Sequence, residues 1–241
     1  MIEILPLQGI GEIAPGDDLG AILAAALPPA RDGDVLVVTQ KIVSKAEGRF
    51  VTLSDVGPGA EALRLAAITR KDPQLVELVL AEATDVLRAV PNVLITRHRL
   101  GLVMANSGID RSNIGPGGSD RALLLPLDPD ASAARISEAV GRPVVISDSF
   151  GRPWRYGVVN VAIGASGLPS LIDRRGDLDR DGRRLEVTQI ALGDMIATAA
   201  GLAAGEGAEG IPAVLVRGCP LDGEASPASV LVRDLAEDLF Q

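Results

Sequence analysis

One cysteine and one histidine occur in 241 residues. With only Cys219 and His98 available, neither a disulfide framework nor a Cys/His zinc site can be assembled, because structural zinc takes four such ligands and catalytic zinc usually three protein ligands. Aromatic residues are almost as scarce: Trp154, Tyr156 and three Phe make up 2% of the chain. Stacking platforms for single-stranded nucleic acid are therefore not expected, and the core must be aliphatic. Basic residues number 23 against 32 acidic ones, a net charge of −9. A surface of that sign repels a phosphate backbone, so nucleic acid is a poor partner. The longest weakly apolar stretch, Ile196 to Ala204, is about half of the ~20 residues that span a bilayer. Met1 to Pro6 lacks the basic and apolar regions of a signal peptide. These absences predict a cytoplasmic protein with no membrane partner.

Missing motifs narrow the chemistry further. There is no Gly-x-x-x-x-Gly-Lys-Ser/Thr phosphate loop and no Gly-x-Ser-x-Gly nucleophile elbow. His98, flanked by two arginines, reads as a solvated turn residue, and Cys219 reads as a buried, inert thiol. Asp177-Leu178-Asp179-Arg180-Asp181-Gly182 imitates the start of a calcium loop, but Thr188 stands where the bidentate carboxylate is needed. Arg174, Arg175, Arg183 and Arg184 around it oppose a cation.

The content that remains is 47% hydrophobic and 23% charged, enough for one large domain or two small packed ones. Apolar spacing predicts helices from Asp17 to Pro28, Gly59 to Ile68, Pro73 to Val90, Ala131 to Val140, Glu186 to Ala204 and Ala228 to Leu239. Strands are predicted at Val35 to Val38, Val93 to Thr96, Leu102 to Ala105, Val144 to Ser149, Val158 to Ile163 and Pro212 to Val216, with Phe150 to Arg155 as a loop. A hairpin among mixed elements makes the class α+β.

Two features carry chemistry. Hard oxygen ligands stand at element ends: Asp110, Asp148 with Ser149, and the acids of Gly205 to Gly210. They suit magnesium or manganese. Thr39 to Arg49 follows a buried strand and places Lys41 and Lys45 one helical turn apart, where they can meet phosphates that the net charge would repel.

Several ordered strings resemble the coenzyme F420-0:glutamate ligase family from about Glu3 to Pro220. They are Leu5-Pro6-Leu7, Ile42 to Arg49, Asn106 to Asp110 with Ser112-Asn113, Ser147 to Arg155, Ala162-Ile163-Gly164, Asp173 to Gly176 with Thr188, Ala191 and Asp194, and Gly205 to Pro212. The resemblance implies an α+β fold of two interlocked subdomains spanning residues 1–241, a homodimer, and no C-terminal reductase domain. It also implies GTP-dependent addition of L-glutamate to F420-0, extending a γ-glutamyl tail, with Mg2+ or Mn2+ and, as a further candidate, K+.

Carried over residue by residue, Asp110, Asp148, Ser149 and Glu206 match metal positions, and Asp110, Asp148 and Lys45 are the candidate catalytic residues. Leu5, Pro6, Leu7, Gln8, Lys45, Asn113, Gly205, Glu206, Gly207, Ala208, Glu209 and Gly210 match nucleotide positions. Glu206 departs from the amide common there. Arg152, Trp154 and Arg155 are the candidates for the anionic deazaflavin substrate. The residues alone also suit a metal-dependent nucleotide phosphohydrolase or kinase with another acceptor, or a nucleotide-binding protein without turnover.

Overall fold

The computed structural model describes residues 1–115 and 118–238. Pro116 and Gly117 of the Gly-rich stretch, and Leu239 at the end of the last predicted helix, lie outside them. The chain begins with β1 (Glu3–Pro6) and α1 (Leu19–Ala26), which Asp18 caps by accepting the Ala21 amide. β2 (Val35–Thr39) runs directly into α2 (Gln40–Ala46), and β3 (Phe50–Thr52) follows. Next come α3 (Ala60–Thr69) and α4 (Pro73–Glu82), the second with Pro in its first turn and Asp72 as cap.

A sheet of β4 (Ala83–Val90), β5 (Val93–His98) and β6 (Val103–Ala105) comes after α4. Short β7 (Arg121–Leu123) pairs with β3, and α5 (Pro129–Val140) precedes a long hairpin of β8 (Val144–Arg152) and β9 (Arg155–Ser166). β10 (Ile172–Asp173) and β11 (Gln189–Ile190) close a small ladder ahead of α6 (Leu192–Ala204) and β12 (Ala213–Arg217).

The main sheet has the order β1-β12-β2-β8-β9, antiparallel except for the parallel pair β2 and β8. Its central strands are buried on both faces, which is why they read as unbroken apolar runs. Leu36, Val38, Val144, Ile146 and Leu215 face one core with α1 and α5. Val35, Val37, Val145, Val214 and Val216 alternate to the other, against α6. A third core gathers Leu53, Leu65, Val76, Val79, Leu94, Ile109 and Leu124. It belongs to the segment that leaves the main sheet after α2 and returns before α5, and the whole is α+β.

The structure departs from the sequence pattern in four places. The predicted helix Pro73 to Val90 stops at Glu82, and Ala83 to Val90 forms β4, an exposed edge strand whose register with β5 is interrupted twice. Its apolar residues do not fill a helix face: Val86 and Leu87 are exposed. Phe150 to Arg155 is no loop but the end of the hairpin, turning at Pro153-Trp154, with Trp154 at φ 58. The helix predicted from Glu186 begins at Leu192, because Gln189 and Ile190 pair with β10. The predicted C-terminal helix is instead two 3-10 turns, Ala228–Leu231 and Leu235–Glu237. Asp130 claims the Ala228 and Ser229 amides, so the tail is fixed by α5 rather than by its own helix.

His98 is also not solvated. It is fully buried, with Nε2 at 3.2 Å from Glu82 and Nδ1 accepting the Leu100 amide at 3.1 Å. Cys219 is buried as expected, and burial pushes its thiol up to about 11. Among the described residues no helix is long and apolar enough to cross a membrane.

Candidate functional site

A cleft of about 610 Å³ opens where the parallel pairing of β2 and β8 ends. Carboxyl ends of parallel strands are where an α/β arrangement leaves room for a ligand. Thr39 ends β2, and α2 brings Gln40, Lys41 and Lys45 to the wall; Ser147, Asp148 and Ser149 of β8 form the neighbouring wall. The loop from Gly205 to Gly210 covers another side. It starts at a glycine with φ 71, which ends α6 in a conformation other residues resist.

Charge is concentrated here. The Asp110 backbone is held by paired hydrogen bonds with Leu123, and its carboxylate accepts the Gln40 amide at 2.6 Å and lies 3.4 Å from the Lys41 ammonium. Burial raises the Asp110 pKa, and Lys41 works against that rise. Asp148 is pushed further, to about 7, first by burial and then by the charge of Asp110. Glu206 raises both. Three acids far apart in sequence therefore sense one another, with Lys41 as a counter-charge. Lys45 is buried and pairs with Glu12 at 2.5 Å.

Ser149 donates to both Glu206 oxygens at 2.7 Å, and Asn113 donates to the Gly207 carbonyl at 3.1 Å. Among the described residues no three Asp, Glu, His or Cys side chains are gathered closely enough to enclose a metal ion by themselves. Magnesium, however, is commonly held by one or two carboxylates together with substrate phosphates. The oxygen donors Asp148, Ser149 and Glu206 on the cleft wall, with Asp110 behind Lys41, fit that pattern.

A family model for F420-0:gamma-glutamyl ligase matches residues 9–218. The chain belongs to the F420-0:gamma-glutamyl ligase family. It is 46% identical to the coenzyme F420:L-glutamate ligase of Natronomonas pharaonis, covering all of this chain and 95% of that one. To the protein of the same name from Methanopyrus kandleri it is 44% identical, over all of this chain and 97% of the relative. The Methanocaldococcus jannaschii protein of that name is 38% identical, with the same coverage.

Not every residue carried over from the ligase family lies at the cleft. Lys45, Asn113, Asp148, Ser149 and all of Gly205 to Gly210 line it, and Asp110 stands behind Lys41 and Gln40. Leu5, Pro6, Leu7 and Gln8 do not: the first two belong to β1 and Leu7 is core, while the next turn, Ile10 to Ile13, reaches the wall. Arg152, Trp154 and Arg155 sit at the hairpin turn, outside the lining, with Trp154 82% exposed. The calcium-loop imitation is an exposed turn closed on its own Asp179. Sequence reasoning missed Glu12, Gln40 and Asn160 as lining residues. Gln40 was signalled by its place beside Lys41, whereas Glu12 and Asn160 become visible only through their partners in space.

Proposed function

We propose that this protein adds L-glutamate to coenzyme F420-0, and extends the γ-glutamyl tail, at the expense of GTP. The observation that carries the reading is the meeting of Lys41, Lys45, Asp148 and the Gly205 to Gly210 loop at one cleft, with Asp110 paired to Lys41 behind it. Family membership over nearly the whole chain supports the same substrate class, since relatives covered end to end are named coenzyme F420:L-glutamate ligases.

A carboxylate is a poor acyl donor to an amine and must first be activated. In the proposed reaction a carboxylate oxygen of F420-0 attacks the γ-phosphorus of GTP, forming an acyl phosphate and releasing GDP. The glutamate nitrogen then attacks the acyl carbon, loses a proton and expels phosphate. Such transfer is catalysed by positioning and charge neutralisation rather than by a protein nucleophile, which suits a chain with an inert Cys219 and a buried His98.

Lys45 holds phosphate oxygens once they displace Glu12, and Asn113 with the Gly205 to Gly210 loop orients the nucleotide. Lys41 keeps Asp110 ionised and in place. Asp110, Asp148, Ser149 and Glu206 would hold Mg2+ or Mn2+, which when bound polarises the phosphates and offsets their charge. A homodimer, K+ as a further ion and a cytoplasmic location are part of the same reading.

Mass spectrometry of F420-0 incubated with GTP, glutamate and manganese tests it. The expected product carries one or more added glutamyl residues, with GDP release that depends on glutamate. GTP hydrolysis without either co-substrate would instead indicate a phosphohydrolase, and binding without turnover a nucleotide-binding protein.

A further inference from the structure

We propose that Asn160 is a positioning residue of this cleft, holding Ser149 and Glu206 together from a seat that Gly201 leaves open. The proposal rests on the functional reading above only for its kinetic consequence. Asn160 lies directly across from Ser149 in the β8–β9 ladder, so their side chains share a face. Its amide nitrogen is 3.2 Å from Ser149 Oγ and 3.2 Å from Glu206 Oε1. The orientation has one solution. A carboxylate can only accept, so the nitrogen must face Glu206; the Ser149 hydroxyl spends its hydrogen on Glu206, so its oxygen is free to accept from Asn160.

The amide oxygen is then turned toward α6. A Cβ built on Gly201 would lie 1.8 Å from Asn160 Oδ1, closer than any side chain can stand. The strand beneath is fixed as well: the Asn160 carbonyl accepts the Thr198 hydroxyl at 2.6 Å, and the Ala162 amide donates to Asp194 at 2.9 Å. Asp194, Thr198 and Gly201 follow one another at four and three residues, a single face of α6. That face seats Asn160, and Asn160 ties down Glu206 at the start of the loop that leaves the same helix. The helix, the hairpin and the loop are thereby locked at one side chain.

Three variants test this: Asn160→Ala, Gly201→Ala and the double variant. Alanine in place of glycine inside a helix ordinarily stabilises it, so a glycine with no role beyond the helix would give a protein at least as stable and as active. The tether predicts that Gly201→Ala keeps its melting temperature yet exchanges the amide hydrogens of residues 206–210 faster. With magnesium and GTP, its kcat/KM for glutamate addition should fall about tenfold or more, the scale of losing a hydrogen bond to a charged group. Asn160→Ala should behave alike, and the double variant should be no worse than Asn160→Ala, because the seat no longer has an occupant to disturb. Wild-type exchange in the loop of Gly201→Ala, or losses that add in the double variant, would overturn the proposal. Absence of any glutamylated product from the wild-type protein would defeat the functional reading alone, and the exchange comparison would still decide the tether.

Discussion

Lys45 carries a charge at 5% exposure, and a cation so placed needs a partner at all times. That partner is Glu12, whose own side chain is 61% exposed and so can swing into solvent to make way for a phosphate. Lys45→Ala is therefore expected to weaken GTP binding about tenfold or more, read by calorimetry on a variant with unchanged circular dichroism. Unchanged affinity would return Lys45 to a purely structural pairing with Glu12. Asp148→Asn keeps the side-chain size while removing the charge, so it should retain the fold and lose most glutamate addition. Asp179→Asn, in the exposed calcium-loop imitation, should be nearly silent in the same assay. The site was legible in sequence where a residue ends an apolar run, as Asp148 does, or stands beside another functional group, as Lys45 does. It was not legible for Asn160 and Glu12, whose roles depend wholly on what the fold brings opposite them.

At the scale of elements, the junction of α4 with β4 turns on Glu82. Its carboxylate, only 14% exposed, accepts from Arg49 at 3.3 Å, Arg99 at 3.3 Å and His98 at 3.2 Å. These partners, the His98 hydrogen bond foremost, hold the Glu82 pKa down at about 2. Arg49 also donates to Leu125 and Arg99 to Leu127, so one acid ties the end of α4 and β5 to the segments flanking the main sheet. Because the folded-state pKa lies below the unfolded one, the native state binds fewer protons. The stabilisation is complete above about pH 4.5 and is lost as the pH falls toward 2. Glu82→Gln should cost about 2 to 3 kcal/mol at pH 7, and its denaturation curves should depend less on pH between 2 and 4.5 than those of the parent. Equal acid sensitivity in the two proteins would contradict this account. The same junction explains why the helix was read too long: Leu75, Val79, Leu80, Ala83, Val86 and Leu87 keep helical spacing, but pairing with β5 and the hydrogen bond that the Arg99 N–H donates to the Glu82 carbonyl redirect the chain.

Across the whole molecule, the doubly buried strands were readable because both faces of β2 and β8 demand apolar residues, and α1, α3 and α5 because their apolar residues keep helical spacing. The short strands β3, β7, β10 and β11 were not, since two or three residues carry no period and owe their conformation to a distant partner. The acidic balance that argues against nucleic acid makes the cleft's two lysines matter more, because they supply local positive charge in a molecule of net charge −9. Binding of GTP should accordingly weaken as salt rises, a trend that titration at two ionic strengths would reveal. The central claim, that this cleft activates a carboxylate with GTP and joins it to glutamate, is tested most directly by product mass. F420-0, GTP, glutamate and manganese with the purified protein should yield F420-0 bearing added glutamyl residues and an equal amount of GDP for each one joined. No added mass, under conditions in which a relative named coenzyme F420:L-glutamate ligase gives it, would contradict the account.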